Sequence, residues 1–271
     1  MRFDLLSTFP EIFASAAPAA LGVSIPARAH AAGVAEWHAH DIRAYTTDKH
    51  GKTDDRPFGG GPGMVMTCQP VWDAARAVEA MDSRPATRVL MTPQGEPLTQ
   101  ARVEDLATKP RLLVVCPRYE GLDERVIEAL DPVQISLGDY VLSGGELAAM
   151  VLMDTVIRLL PGALGHEESA GRDSFGEVDT TDAVGSPVPK RVLRELDIPP
   201  GARLLEGPQY TKPRVWQGRE IPEILLSGDH GKIQAWRLAR AQERTRARRP
   251  ELLKEPSAGS NDDLDPRGGK A

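Results

Sequence analysis

The sequence is poor in cysteine and has no long uninterrupted apolar run. Its two cysteines, Cys68 and Cys116, lack the CxxC spacing of a zinc or redox site, and two are too few for a disulfide framework. We therefore expect both to be small buried residues. No run of about 18 apolar residues appears, and Asp4 and Glu11 interrupt the segment where a signal peptide needs one. These absences predict a cytoplasmic protein with no membrane partner.

Aromatic residues make up only 5% of the chain, but 41% of it is hydrophobic and 27% is charged. That balance is ordinary for a globular protein and excludes a fibrous or wholly disordered chain. At 271 residues the chain is long enough for one large domain, or for a medium and a small one that each have a buried core.

The formal net charge of −6 argues against a polyanionic partner, because phosphate binding needs clustered lysine and arginine. The average hides one basic segment, from Lys232 to Arg249, in which Glu243 is the single acidic residue. Two interpretations stay open for this segment: a nucleic-acid contact, or a solvated basic face of a helix.

Strand-like and helix-like segments alternate along the first half of the chain. The segment RFDLLSTF and three apolar runs are predicted strands: Arg88–Thr92, Arg111–Cys116 and Val133–Ser136. Helices are predicted from Glu11 to at least Ala17 and over Val71–Met81, Thr99–Ala107 and Asp123–Ala129. Such alternation predicts an α/β protein with a mostly parallel sheet, in which ligands bind at the carboxyl ends of the strands.

Three unusual loops directly follow these strands and therefore lie where chemistry is expected. They are TPQGEPL from Thr92, CPRYEG from Cys116 and LGDYVLSGGE from Leu137. An apolar helix follows the third loop, from Glu146 to Leu160, and stops at Pro161. Because an exposed apolar helix would be a liability, we expect it to pack against the sheet or in a dimer interface.

Two glycine-rich segments, Asp54–Met66 and Leu142–Glu146, allow the backbone to approach a ligand closely or to adopt positive φ. Neither has the GK[ST] of a phosphate-binding loop or the GxGxxG of a dinucleotide site. The residues alone leave two alternatives for each segment: a tight turn or helix start, or a ligand contact.

Composition predicts the domain boundaries. Residues 1–160 hold the alternating segments, and residues 161–205 are rich in Gly, Pro, Asp, Ser and Thr, as in a linker or mobile lid. Residues 206–254 predict a small helical domain, whose main helix begins after an N-cap at Ser227 or Asp229 and runs to about Arg248. Residues 255–271 are polar and predict a disordered tail.

A set of motifs occurs together and in one order: FGGGPGM, TPQGEPL, RYEGLDERV, SLGDYVLSGGE, RLLPGALG, ESAGRDSF, GPQYTKP, EILLSGDH and RRPELL. From about Met1 to Leu253 the chain thereby resembles the bacterial tRNA (guanine-N1)-methyltransferases, the TrmD family of the SPOUT superfamily. The resemblance implies an α/β SPOUT fold with a deep C-terminal trefoil knot around S-adenosylmethionine (SAM), in an obligate homodimer, followed by a small helical domain. Strand order alone would have predicted a Rossmann-like sheet, because knotted chains are rare.

The same resemblance implies methylation of N1 of the guanosine immediately 3′ of the anticodon in tRNA. The family's SAM site falls on the three loops, where main-chain groups on a glycine-permitted backbone can hold adenine. The implied cofactor-binding residues are Leu90, Met91, Thr92, Pro93, Gln94, Gly95, Pro117, Tyr119, Glu120, Gly121, Leu137, Gly138, Asp139, Tyr140, Val141, Leu142, Gly144 and Gly145.

Two catalytic residues are implied, Asp173 in ESAGRDSF and Arg158 near the end of the apolar helix. N1 of guanine loses a proton as the methyl group arrives, and negative charge develops towards O6. A carboxylate can accept that proton, and a cation can stabilise O6. The family is linked to Mg²⁺, although no set of protein metal ligands is readable in the sequence. Contacts to the tRNA substrate are expected from Gly59, Gly60, Gly61, Lys232, Arg237, Arg244 and Arg248.

The chain departs from the family pattern at three places. Pro117 stands where members commonly have glycine before RYEG, and proline removes an N–H donor, so any ligand contact there must use its carbonyl or ring. Residues 208–213 read PQYTKP, where members of the family commonly have PHYTRP. Residues 176–203 resemble an insertion, whose basic patch of Lys190, Arg191 and Arg194 is either an RNA contact or part of a solvated spacer.

A second function stays open, that of a non-catalytic RNA-binding protein with the same fold. The presence of Asp173, Arg158 and GDYVLSGGE counts against it. A nucleotide hydrolase is excluded by the lack of a phosphate-loop lysine and of a recognisable nucleophile with its base.

Overall fold

The computed structural model describes residues 1–13, 21–164, 173–178, 190–199 and 201–253. The chain divides into two compact units, Met1–Glu167 and Glu168–Ala271. The predicted tail, 255–271, lies outside the described residues, as does most of the helix predicted to reach Ala17. Where that helix was expected to begin, Pro10–Ile12 forms a 3-10 turn.

The strands of the first unit are β1 (Arg2–Ser7), β2 (Glu36–Asp41), β3 (Asp54–Asp55), β4 (Val65–Met66), β5 (Thr87–Pro97), β6 (Arg111–Val115) and β7 (Val133–Ser136). Its helices are α1 (Ser24–Ala31), α2 (Cys68–Ala80), α3 (Gln100–Ala107), α4 (Glu124–Leu130) and α5 (Gly145–Ile157). The second unit contains α6 (Lys190–Glu195), β8 (Val215–Trp216), β9 (Arg219–Glu220) and α7 (His230–Arg248).

The predicted strands and helices from Val71 to Ser136 are confirmed within a few residues. Three features differ. The strand β2 was not predicted, β5 continues to Pro97 instead of ending at Thr92, and the apolar helix ends at Ile157 with Arg158 as its C-cap. Pro161 follows, as expected at the end of a helix.

A parallel five-stranded sheet with strand order β2-β1-β6-β5-β7 forms the centre of the first unit. Every residue of β6 is buried, as expected for a central strand covered on both faces. Leu112 and Val114 pack with residues of α1, α3 and α5 on one face. Leu113 and Val115 pack with residues of α2 and α4 on the other. The α/β class with a parallel sheet is therefore confirmed.

The helix α5 is apolar on more than one side. Ala149, Leu152 and Met153 are buried in the core beside the sheet. Leu147 and Val151, which lie one helical turn apart, are 56% and 45% exposed. Packing against the sheet explains the first set, and the second set leaves an apolar strip on the surface of the unit.

A buried ion pair ties β1 and β6 to the end of α2. Arg111 Nε donates to Asp4 Oδ2 at 2.7 Å, and both side chains are fully buried. The Arg111 guanidinium also donates to the main-chain oxygens of Val78, Glu79 and Asp82, at the end of α2 and just beyond it. Burial alone would raise the pKa of Asp4, but hydrogen bonds from His40, Arg2 and Arg111 outweigh it and hold that pKa well below its usual range.

The second unit has its own small core. Ile198, Ala202 and Leu204 are buried in it, and Leu238 and Ala241 of α7 pack against them. Part of the interval predicted as a linker, 161–205, therefore belongs to this core. Helix α7 begins at the second of its two expected N-caps, since the Asp229 carboxylate accepts from the Lys232 N–H at 3.0 Å. No helix within the described part of the chain is long and apolar enough to cross a membrane.

Replacing Arg111 by methionine removes the cation and leaves the Asp4 carboxylate buried. We expect Arg111→Met to lower the free energy of unfolding by about 3–5 kcal/mol, the usual cost of breaking a buried pair. The control is Arg125→Met, because Arg125 pairs with Asp123 on the surface and is 72% exposed, so its loss should cost less than about 1 kcal/mol. Urea unfolding measures both. Equal losses would contradict the assigned role of the buried pair.

Candidate functional site

Three loops converge at the carboxyl edge of the sheet and enclose a cavity of about 340 Å³: the irregular excursion within β5 between Met91 and Glu96, and the loops that follow β6 and β7. This is the position at which open parallel sheets bind ligands. The cavity is lined by Leu90, Met91, Thr92, Pro93, Gln94, Pro117, Arg118, Tyr119, Glu120, Gly121, Leu122, Glu124, Ile127, Ile135, Ser136, Leu137, Tyr140, Val141, Leu142, Gly144, Gly145 and Ala148.

The structure thus brings most of the predicted cofactor-binding residues together around one cavity. Gly95, Gly138 and Asp139 belong to the same loops but do not line it. The lining residues that sequence reasoning missed are Arg118, Leu122, Glu124, Ile127, Ile135, Ser136 and Ala148. Arg118 had a readable signal, since it lies inside the RYEG motif, whereas Ile127 and Ala148 sit on the helices α4 and α5 and gave none.

Gly95 has a structural task beside the cavity. The pairing of β5 with β7 is interrupted between Met91 and Glu96, so the intervening residues leave the regular ladder. A Cβ on Gly95 would lie 2.4 Å from the main-chain carbon of Gln134 and from the Ile135 nitrogen. Only glycine therefore lets β5 come back onto β7 after this excursion.

Gly145 is a second point of close main-chain approach. Its N–H donates to the Pro117 carbonyl at 2.9 Å, so the loop after β7 is joined to the loop after β6. A Cβ at Gly145 would lie 2.8 Å from Cys116 Cα and 2.9 Å from Pro117 Cδ. The Pro117 carbonyl thus has a main-chain partner, and Pro117 is one of the residues that line the cavity.

The buried carboxylate of Glu146 connects the loop after β6 with the loop after β7. Glu146, in the first turn of α5, accepts from Ser7 Oγ at 2.7 Å and pairs with Arg118 Nε at 2.9 Å. The Arg118 guanidinium also donates to the Ser143 carbonyl and lies 4.5 Å from the ring centroid of Phe9. Arg118 thus connects the loop that carries it with the start of α5.

The cysteines have no visible role in binding. Burial, and then the negative charge of Glu146, raise the pKa of the Cys116 thiol well above its ordinary value, so it stays protonated and inert. Cys116 is buried as predicted, whereas Cys68 is only half-buried. Cys68 lies at the start of α2, and burial raises the pKa of its thiol too, with a further contribution from Asp123.

The glycine-rich segment is the loop of a small antiparallel hairpin formed by β3 and β4. Gly59, Gly60 and Gly61 are exposed on it with positive φ. The hairpin is fastened to the loop after β6, because the Glu120 N–H donates to the Met64 carbonyl and the Met66 N–H donates to the Gly121 carbonyl, both at 2.9 Å. The three glycines therefore belong to a loop that is anchored at the rim of the cavity.

The two predicted catalytic residues lie in different units. Arg158 is the C-cap of α5 in the first unit, and Asp173 begins the described segment 173–178 of the second. Among the described residues no group of three or more His, Cys, Asp or Glu side chains lies together to hold a metal ion.

The basic residues predicted to contact tRNA differ in their surroundings on α7. Lys232, Arg237 and Arg248 are exposed, and Lys232 forms an ion pair with Asp229 at 3.0 Å. Arg244 is half-buried, and its Nη1 donates to the carbonyls of Glu206 and Gly207. The short β8–β9 hairpin, which sequence reasoning missed, adds an exposed aromatic side chain at Trp216 and exposed cations at Arg214 and Arg219.

A parallel sheet with a cavity at its carboxyl edge is typical of α/β proteins that bind a small molecule there. The family model described as tRNA (Guanine-1)-methyltransferase TrmD matches residues 1–255, and the chain belongs to this family. The resemblance drawn from the motifs is therefore confirmed.

Similar proteins carry the same description. A tRNA (guanine-N(1)-)-methyltransferase from Chloroflexus aurantiacus is 48% identical over 258 residues, which cover 95% of this chain and 90% of the relative. One from Rhodopseudomonas palustris is 49% identical, covering 93% of this chain and 89% of the relative. One from Rhodopirellula baltica is 45% identical, covering 95% and 96%. The likeness extends over nearly the whole length of each pair.

The close approach at Gly95 predicts a local effect. Gly95→Ala should separate β5 from β7 and lower the free energy of unfolding by about 1–3 kcal/mol or more, as overpacking does. Amides of residues 89–97 and 133–136 should exchange faster with deuterium. In the control Gly33→Ala, the added Cβ meets nothing within 4 Å but φ is +71°, so stability falls by about 1–2 kcal/mol. If these amides exchange as slowly in Gly95→Ala as in Gly33→Ala, the packing argument is refuted.

Proposed function

We propose that this chain transfers a methyl group from SAM to N1 of the guanosine immediately 3′ of the anticodon in tRNA, in the cytoplasm. The products are 1-methylguanosine and S-adenosylhomocysteine. The observation that carries the proposal is the convergence of the TPQGEPL, RYEG and GDYVLSGGE loops around one cavity, in a chain that belongs to the TrmD family throughout residues 1–255.

The cavity fits SAM in size and chemistry. Its volume of about 340 Å³ lies in the range of small-molecule sites. Leu90, Ile135 and Ala148 give apolar walls, and the main-chain groups of the three loops offer donors and acceptors. When bound there, SAM supplies an electrophilic methyl group on a sulfonium.

The remaining chemistry belongs to the protein. The Asp173 carboxylate accepts the proton that leaves N1 as the new N–C bond forms. The Arg158 guanidinium stabilises the negative charge that develops on O6. Pro117 lines the cavity, and its carbonyl is bound to the Gly145 N–H. For Mg²⁺, the described residues offer no group of three acidic or histidine ligands, so we assign it no step.

A knotted, dimeric chain accounts for two further features. The Gly145 to Pro117 hydrogen bond shows that the chain after β7 returns to the loop after β6, and a trefoil knot of the SPOUT type requires such a return. The exposed apolar residues Val141, Leu147 and Val151 lie on the third loop and on α5. Burial of these residues in a homodimer removes an apolar surface that would otherwise contact water.

The tRNA is held by basic residues that the net charge conceals. Lys232, Arg237 and Arg248 of α7 supply exposed cations, which suit the phosphate backbone. The hairpin loop of Gly59, Gly60 and Gly61 lies at the cavity rim, where the exposed backbone can contact the target nucleotide. Whether the chain also catalyses methyl transfer, or only binds RNA with the same surfaces, is decided by one assay.

In that assay pure protein is incubated with labelled SAM and unmodified tRNA. We expect label in tRNA with guanosine at the target position and none in the same tRNA with adenosine there. Asp173→Ala should lower the single-turnover rate by about 100-fold or more, the usual contribution of a general base, with SAM affinity by calorimetry nearly unchanged. Absence of label with both tRNAs would favour the RNA-binding alternative. Equal loss of SAM binding would remove Asp173 from the role of base.

The site should be shared between protomers, with Asp173 acting on the cavity of the partner. Asp173→Ala keeps a good cavity, and Gly145→Val, whose side chain collides with residues 116–117, keeps a good aspartate. Each homodimer should be inactive. In the mixed dimer one site joins the good cavity to the good aspartate, so co-expressed, doubly tagged dimers should have about half the wild-type activity. If instead each site lies within one protomer, the mixed dimer should have no activity. A mixed dimer that folds and binds SAM but is inactive would therefore establish catalysis within one protomer.

A further inference from the structure

The segment that carries Asp173 is not a free loop within the second unit. Its residues run beside 202–206, since the Phe175 N–H donates to the Leu204 carbonyl at 2.7 Å and the Val178 N–H donates to the Ala202 carbonyl at 2.9 Å. Ser174 Oγ accepts from the Glu206 N–H at 3.0 Å. The position of Asp173 therefore depends on the position of residues 202–206.

Residues 205–207 are in turn fastened to helix α7. The Leu205 N–H donates to Thr245 Oγ1 at 2.9 Å, and Thr245 is fully buried. Arg244 Nη1 donates to the Glu206 carbonyl at 2.8 Å and to the Gly207 carbonyl at 3.0 Å. Two neighbouring residues of α7 thus bind main-chain groups of three successive residues, 205–207. These bonds fix where the segment lies along α7 and in which direction it runs.

A third contact and a strained residue support the same arrangement. The Arg249 guanidinium lies 5.6 Å from the ring centroid of Phe175. Phe175 itself has φ of +71°, a left-handed conformation that a bulky side chain adopts only where its surroundings enforce it. Those surroundings are the partners just described: residues 202–206 on one side and the end of α7 on the other.

We propose that Arg244 and Thr245 are positioning residues, which place the Asp173 carboxylate for catalysis through residues 202–207. The inference rests on the proposed role of Asp173 as the base. It assigns Arg244 a task different from the phosphate contact that its charge suggests, because its guanidinium is turned to two carbonyls of its own unit. The second unit then takes part in setting the geometry of the reaction and not only in holding RNA.

Arg248 is a matched control on the same helix. It lies four residues after Arg244, one turn further along α7, and its side chain is exposed. A cation on the surface acts on tRNA mainly through phosphate charge, and each lost contact lowers the slope of log Kd against log salt by about 0.9. A positioning residue leaves that slope alone and changes the rate of the chemical step.

The experiment compares Arg244→Met with Arg248→Met in the full-length protein. For Arg244→Met we expect the single-turnover rate at saturating tRNA and SAM to fall at least about ten-fold, with the salt slope of tRNA binding unchanged. For Arg248→Met we expect a flatter salt slope, which is the change that Arg244→Met should not show. A flatter slope with an intact rate in Arg244→Met would overturn the proposal.

Thr245 provides a second test that a general loss of folding does not imitate. Thr245→Val removes the hydroxyl that accepts from the Leu205 N–H and keeps the side-chain shape, whereas Thr245→Ser keeps the hydroxyl. We expect a slow single-turnover rate in the first and a near wild-type rate in the second, with faster deuterium exchange of residues 173–178 only in the first. Equal rates in the two Thr245 variants would overturn the proposal. This test remains valid even if Arg244→Met does not fold.

The Asp173→Ala variant separates this inference from the function on which it rests. The double variant Asp173→Ala with Arg244→Met should be no slower than Asp173→Ala alone. Asp173→Ala already removes the carboxylate that Arg244 positions, so the loss of Arg244 has no further effect on the rate. A wild-type rate in Asp173→Ala would overturn the catalytic assignment itself. An inactive Asp173→Ala together with a fully active Arg244→Met would overturn only the positioning role.

Discussion

Two glycines set the spacing of the main-chain segments around the cavity. At Gly95 the strand β5 lies so close to β7 that a Cβ would be 2.4 Å from the backbone. At Gly145, the start of α5, a Cβ would be 2.8 Å from Cys116 Cα and 2.9 Å from Pro117 Cδ. These contacts hold three loops from three parallel strands together at one edge of the sheet. The cavity, its backbone donors and the entry of α5 into the core all depend on this spacing, because no side chain could replace the missing Cβ without moving the loops apart.

Charges are buried at both ends of this arrangement, and each has a structural reason. Arg111 satisfies Asp4 and three carbonyls at the end of α2, far along the sheet from the cavity. Glu146 accepts a hydrogen bond from Ser7 and pairs with Arg118 next to the cavity loops. Because an unpaired buried charge is costly, each set resists displacement of any single member. The central sheet is thereby fixed at its amino-terminal edge, and the loops are fixed at its carboxyl-terminal edge.

Much of the fold could be predicted from the sequence, and the exceptions have physical causes. The central strand β6 could be recognised because both of its faces are buried, which makes LLVV an uninterrupted apolar run. The edge strand β2, EWHAHD, is only partly buried, so its polar composition hid it. The end of β5 was placed too early because Pro93, Gly95 and Pro97 usually end strands. The short helix α6 follows a proline-rich stretch, and its Leu193 packs against the core of the second unit, a tertiary contact that the sequence does not show.

The site was predicted in part for the same reason. Loops that follow buried strands are visible in a sequence, so the residues of the three loops were found. Lining residues such as Ile127 and Ala148 come from helix faces, which only the packed structure reveals. The pairing of β5 with β7 across an excursion, and the return of the chain from Gly145 to Pro117, are contacts between distant segments. Strand order without the family resemblance would have given a Rossmann-like sheet.

The basic helix shows most clearly what composition cannot decide. Arg244 and Arg248 are the same residue type, one turn apart in one segment, and a charge count treats them alike. Only burial and partners separate them: Arg244 is half-buried and donates to two carbonyls, and Arg248 faces solvent. A guanidinium that satisfies main-chain oxygens in its own unit has fewer donors left for a phosphate. Hence the local excess of positive charge on α7 overstates its capacity to bind RNA, and part of that charge holds together the unit in which Asp173 lies.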